Sequence, residues 1–210
     1  FQLDGTVDGT GKLVMTYAGY LVLRGTNTYS GGTDITSGYV DVSNNDALGT
    51  GDLTLGDGAK LGGYALGVTL ANNVILSGTT AVIYASDLTI NGDISGPATL
   101  NVLADSGKLT LTSTNTHAAT SIGAGATLVA GADVNLGTGA LDFAGVGATL
   151  EFANATTFTH NMTMTADGNI DTAGFNGEIS GAITGAGLVN KAGVGTLTLS
   201  NAANAFAGLT

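Results

Sequence analysis

Apolar and polar residues alternate along this chain in short bursts, as in "YLVLR" (residues 20–24), "DLTLG" (52–56), "VTLANNVIL" (68–76) and "AVIYA" (81–85). Period-two alternation in Leu, Val, Ile, Thr and Tyr is the signature of strands with one buried face. Clusters of Gly, Asn, Asp and Ser punctuate the bursts and read as turns. No window shows helical periodicity, and the 35 glycines would oppose a helix in any case. The pattern predicts an all-β chain of many short strands.

The bursts also recur. "GYLVLRGTNTYSGGT" starts at Gly19, "GKLTLTSTNTHAAT" at Gly107 and "GTLTLSNAANAFAG" at Gly195, spacings of 107 − 19 = 88 and 195 − 107 = 88. A second landmark precedes each: "LDGTVDG" at Leu3, "INGDISG" at Ile90 and "FNGEISG" at Phe175. A third, "ALGTGDLTL" at Ala47, returns as "NLGTGALDF" at Asn135 (135 − 47 = 88), and Asn73 meets Asn161 at the same offset. The chain therefore reads as one array of pseudo-repeats spanning about 1–88, 89–173 and a partial 174–210.

An antiparallel sandwich would turn through tight hairpins, whereas near-identical segments favour a parallel stack. The reading is a right-handed parallel β-solenoid (β-helix) of nine to ten coils, four coils of about 22 residues per repeat. Gly19, Gly107 and Gly195 should then occupy equivalent places. Leu21, Leu23, Leu53, Leu55, Leu109, Leu111, Leu141, Phe143, Leu197 and Leu199 should point inward. The polar stretch at Asn27 and Thr28 becomes a corner, with asparagines hydrogen-bonded in a ladder from coil to coil.

Composition narrows the function. Five Lys and Arg against sixteen Asp and Glu, net −11, argue against nucleic acid and anionic membranes as partners. Only 10% of residues are charged, against about 25% in ordinary domains, so the surface is built from Thr, Ser, Asn and Gly. The chain has no Cys, hence no disulfide framework. No apolar run approaches a membrane span. Phe1 enters patterned sequence without an initiator Met or signal peptide, as expected of a mature product or a piece of a longer chain.

"GKLVMTYAGYLVLRGTNTYSGGTDITSGYV", "ALGTGDLTLGDGAKL" and, at 187–210, "GLVNKAGVGTLTLSNAANAFAGLT" resemble the passenger-associated repeat of bacterial autotransporters. The central copy departs from it, with His117 in place of Tyr29 and "AAT" in place of "GGT". The resemblance implies an extracellular β-helix on the bacterial surface, tethered at the outer membrane or released. It further implies a stalk, adhesin or filament-forming role. Expected partners are other copies of the chain, a host or neighbouring cell surface, and carbohydrate.

The chemistry-bearing residues fit that picture. His117 aligns with Tyr29 and His160 with Asn72, so both occupy structural slots. Two histidines without H-x-x-x-H spacing do not make a zinc site. Asp167 with Asp171, or Asp142 with Glu151, could meet on neighbouring strands as a glycosidase-type pair, but nothing else breaks the repeat around them. The calcium-roll nonapeptide and a full dinucleotide loop are absent. The expectation is no catalytic, cofactor-binding or metal-binding residues, and no enzyme. The alternative is a polysaccharide-binding or polysaccharide-cleaving β-helix protein. The six tyrosines, all within residues 17–84, are either stacking residues or an exposed face for carbohydrate or a partner.

Overall fold

The computed structural model describes residues 1–210 and forms a β-solenoid of ten coils, with neighbouring strands paired in parallel throughout. No strand pair is a hairpin, because each strand's partner lies about 20 residues away, on the next coil. One long sheet takes a strand from every coil, from Gln2–Leu3 through Tyr20–Leu23 and Thr80–Ala85 to Ile183–Gly185. A second side is the eight-stranded sheet from Val68–Leu70 to Gly208–Leu209. The third side is divided between a five-stranded sheet (Leu13–Met15 to Ile94–Ser95) and a three-stranded sheet (Thr157–Phe158, Gly177–Ile179, Leu197–Leu199). The only helix is a 3-10 turn, Asp133–Leu136, and no helix is long and apolar enough to cross a membrane.

Alternation places one core along the axis. Forty-two buried side chains form a single cluster, so the stack is one cooperative interior. Of the residues expected to point inward, Leu23, Leu53, Leu55, Leu109, Leu111, Leu141 and Phe143 are fully buried. Leu21, Leu197 and Leu199 are only partly buried, packed against the cluster's outer coils. Like stacks on like: Leu109 pairs with Leu88 and Leu128, and Leu55 with Ile35 and Leu76.

The expected equivalence of Gly19, Gly107 and Gly195 does not hold. Gly19 leads into the long sheet at Tyr20–Leu23, Gly107 into the eight-stranded sheet at Leu109–Leu111, and Gly195 into the three-stranded sheet at Leu197–Leu199. The register gives the reason. Leu21 pairs with Val40, Val40 with Leu61, Leu61 with Ile83 and Ile83 with Val102, so four coils consume 102 − 21 = 81 residues. The sequence period of 88 overshoots by 88 − 81 = 7, roughly one side of the coil at a strand rise of about 3.3 Å per residue. Each copy of the motif is therefore turned onto the next side of the solenoid.

Candidate functional site

The recurring polar motif builds a clamp between successive coils. Asn27 is buried, its Oδ1 accepting from Val7 N–H (2.8 Å) on the coil before and its Nδ2 donating to Ala47 C=O (2.6 Å) on the coil after. Asn115 repeats this with Ile94 N–H (2.7 Å) and Asn135 C=O (2.6 Å), and Asn204 Oδ1 accepts from Ile183 N–H (2.8 Å). This replaces the expected asparagine ladder: each amide is flanked by backbone groups, not by another amide. It satisfies buried peptide groups that the corner removes from the sheets.

The aromatic two residues on completes the clamp. Tyr29, 2% exposed, donates to Thr33 Oγ1 (2.6 Å), which passes its own proton to Leu48 C=O (3.2 Å). In the second copy His117, 0% exposed, meets Thr120 Oγ1 (2.7 Å), which donates to Leu136 C=O (2.8 Å). Gly49 and Gly137 lie against these rings in left-handed backbone (φ 67° and 88°). A Cβ at Gly49 would sit 3.0 Å from the Tyr29 ring, and one at Gly137 2.7 Å from the His117 carbonyl. The Ala-Leu-Gly-Thr-Gly landmark is thus the lid that the Asn-x-aromatic corner of the preceding coil receives.

Because Thr120 gives its proton to Leu136, His117 must donate through Nε2, which leaves Nδ1 the unprotonated nitrogen; it has no hydrogen-bond partner. Burial pushes the His117 pKa down to about 4, the Ile94 carbonyl opposing and His160 adding to the shift. His160 bridges outward, with Nδ1 against Asp133 Oδ1 (2.7 Å) and Nε2 against Gly137 C=O (3.1 Å). Asn72 makes the equivalent bond to Gly49 C=O (3.1 Å), so the slot shared by Asn72 and His160 is a real one. Burial lifts the Asp133 carboxyl, but hydrogen bonds from Thr159 and His160 outweigh it and hold the group below the usual carboxylate range.

The acid pairs considered from sequence are not assembled. Asp142 lies on the long sheet, accepting from Thr165 (2.7 Å), while Glu151 lies on the eight-stranded sheet, paired with Lys108 (2.6 Å). Asp167 accepts from Leu188 N–H on the next coil and Asp171 from Ala173 N–H in its own turn, both 2.8 Å. The register instead sets Glu151 beside Asp171, a neighbour that an 88-residue period does not reveal.

The tyrosines divide. Tyr29 is the clamp residue, whereas Tyr20, Tyr39 and Tyr84 cluster on the outer face of the long sheet, with ring centroids 5.2 and 5.1 Å apart. Beneath them Asp41, 6% exposed, accepts from the Tyr20 phenol. Burial, then Asp41, push the Tyr20 pKa up to about 12, and Tyr39 is raised further by the same causes. Sequence alternation could not find Asp41, which sits on an outward position and is buried only because tyrosines cover it.

Residues 6–42, 103–130 and 189–210, the segments holding the three corners, match the passenger-associated-transport-repeat family. A curated relative, the adhesin BmaC autotransporter of Brucella suis biovar 1 (strain 1330), is 36% identical over 99 residues, covering 45% of this chain. The chain spans about 3% of that relative's length. No solved structure matches.

Proposed function

We propose, from the premise that this chain is a bacterial autotransporter passenger solenoid carrying passenger-associated transport repeats, that it serves at the cell surface as a rigid adhesive stalk. The observation that carries the reading is the uninterrupted ten-coil core with its coil-to-coil clamps. A stalk must project its surface without folding back, and a single core locked at each motif copy gives that stiffness. Support for a non-enzymatic role is that both histidines and the acids weighed above are engaged in structural hydrogen bonds or ion pairs. The relative of similar sequence is named an adhesin, which supports the adhesive half.

Beads coated with the chain should be retained on epithelial or bacterial cells above beads coated with an unrelated solenoid. Equal retention overturns the adhesive role. Polysaccharide turnover that disappears in Asp133→Ala or His160→Ala overturns the non-enzymatic one.

A further inference from the structure

Three tyrosines gather in one outward region of the long sheet. Tyr20, Tyr39 and Tyr84 belong to the second, third and fifth coils, and Tyr39 and Tyr84 close on each other over the fourth, which contributes Gly62. A Cβ at Gly62 would collide with both the Tyr39 phenol oxygen and Asp41 Oδ1, so this glycine makes room for the cluster. Further along the same outward ladder the positions are Asn101, Ser121 and Asp142. The aromatic patch is thus a local feature, not a property of the repeat.

Beside Tyr39 runs a groove of about 280 Å³, floored by Gly19, Gly38 and Gly58 of successive coils and bordered by Ser37, Tyr39 and Lys60. Gly38 admits no side chain: its φ is 89°, and a Cβ would meet Met15 Cε and the Tyr17 carbonyl at 2.6 Å. The volume sits near the lower end for small-molecule sites, enough for a sugar ring. Lys60 stands out among the five cations. Lys12 and Lys108 are in ion pairs, Lys191 bonds Thr172 and two carbonyls, and Arg24 lies 4.5 Å over the Tyr64 ring. The Lys60 ammonium has neither ion-pair nor hydrogen-bond partner, and the residue lines the groove.

Asp41 supplies the independent sign that this patch is built. Its Oδ2 accepts from Tyr20, while Oδ1, also buried, has no partner. An unsatisfied buried carboxylate oxygen is destabilising, so its presence under the rings argues for a positioning role, fixing Tyr20, whose ring packs on Tyr39.

The chemistry selects the ligand. Ring centroids near 5 Å mean the rings pack on one another, so an ammonium group cannot enter between them as in an aromatic cage. A net charge of −11 repels anions at long range. What the groove offers is the accessible part of the half-buried Tyr39 ring, a hydroxyl, a free ammonium donor and bare backbone. That suits a ligand with an apolar face and a rim of hydroxyls.

We propose that the groove and tyrosine face on coils two to five bind a neutral glycan, a pyranose ring packing on Tyr39 with Lys60 and Ser37 bonding its hydroxyls. The inference deepens the adhesive reading, on which it rests for its setting, but its test does not use adhesion. The chain has no Trp and three of its six tyrosines form this patch, so a change in tyrosine fluorescence that is lost in Tyr39→Phe reports the site. Titration with cellohexaose, maltohexaose and chitohexaose should give a saturable change with at least one, and 3′-sialyllactose or an unrelated peptide should give none. Lys60→Met, at an exposed side chain, should weaken binding about five-fold and Tyr39→Ala about ten-fold or more, with unchanged circular dichroism. Asp41→Ala should lose binding, whereas Asp41→Asn, which keeps an acceptor for Tyr20, should restore it. No saturation with any neutral probe, binding confined to the acidic sugar or the peptide, or equal affinity in Lys60→Met and Tyr39→Ala overturns the proposal. Bead adhesion surviving such a failure would leave the stalk reading standing with its contact elsewhere.

Discussion

Acidification should weaken the solenoid through one side chain. His117 is fully buried with an unpartnered Nδ1, and its pKa lies at about 4 against 6.5 for the free residue. The depressed value means the unfolded chain takes up the proton first. The stability at stake is thus fully present above pH 6.5 and is lost as pH falls toward 4. The full difference of about 2.5 pH units corresponds to about 3 kcal/mol, of which about 2.5 kcal/mol is lost by pH 4.5. His117→Phe removes the titration in a slot where the third copy carries Phe206. It also removes the bond to Thr120, which keeps its bond to Leu136, so the variant should be about 1 kcal/mol less stable at pH 7. Urea unfolding of both proteins at pH 7 and 4.5 reads the difference. His160 is present in both, and the lowered carboxyls, Asp57 and Asp133, act below this window, so neither contributes to it. The wild type should lose about 2 to 3 kcal/mol more than the variant. Parallel losses would refute the assignment of acid sensitivity to this corner.

Leu111→Asp places an unpaired charge in the core beside Ile90 and Ala130 and should unfold the neighbouring coils; an unchanged melting temperature would show the register to be wrong. Asn115→Ala orphans the buried Ile94 N–H and Asn135 C=O and should cost about 2 to 4 kcal/mol, while Asn176→Ala, whose exposed Oδ1 serves Thr196 N–H, should cost under about 1 kcal/mol; equal melting shifts would deny the clamp. Gly137→Ala must adopt φ near 88° and press on His117, and should lower stability by more than about 1 kcal/mol with faster amide exchange at Thr138. Ten coils at about 4.8 Å predict a rod of about 48 Å, which small-angle scattering can measure.

Much of this was legible beforehand. Alternation in "DLTL" and "KLTL" marks Leu53, Leu55, Leu109 and Leu111 as core because side-chain direction in a strand follows from parity alone. The Asn27 corner was visible as a recurring break, and its pairing of His117 with Tyr29 and His160 with Asn72 was carried by the offset of 88. Two things were hidden. Coil length depends on how many residues each turn absorbs, and loop residues leave no periodic trace; that is why sequence spacing alone gives the three glycines the wrong phase. Asp41 was hidden because its burial depends on rings from other coils, a relation set by register rather than by local pattern.

The seven-residue overshoot has a mechanical consequence. The first clamp stands on the side where the eight-stranded sheet has yet to begin, the second divides the third side into its five- and three-stranded sheets, and the third lies where the long sheet gives way to the single bridge at Ala205. The breaks are staggered like joints in brickwork, never aligned along one edge. A tear that starts at one break meets continuous hydrogen-bonded sheet on the other two sides, and bending stiffness is shared among all three directions. A repeat of 81 residues would have stacked its corners into a single seam. A repeat of 88 residues leaves the column without a single line of breaks along which it could unzip.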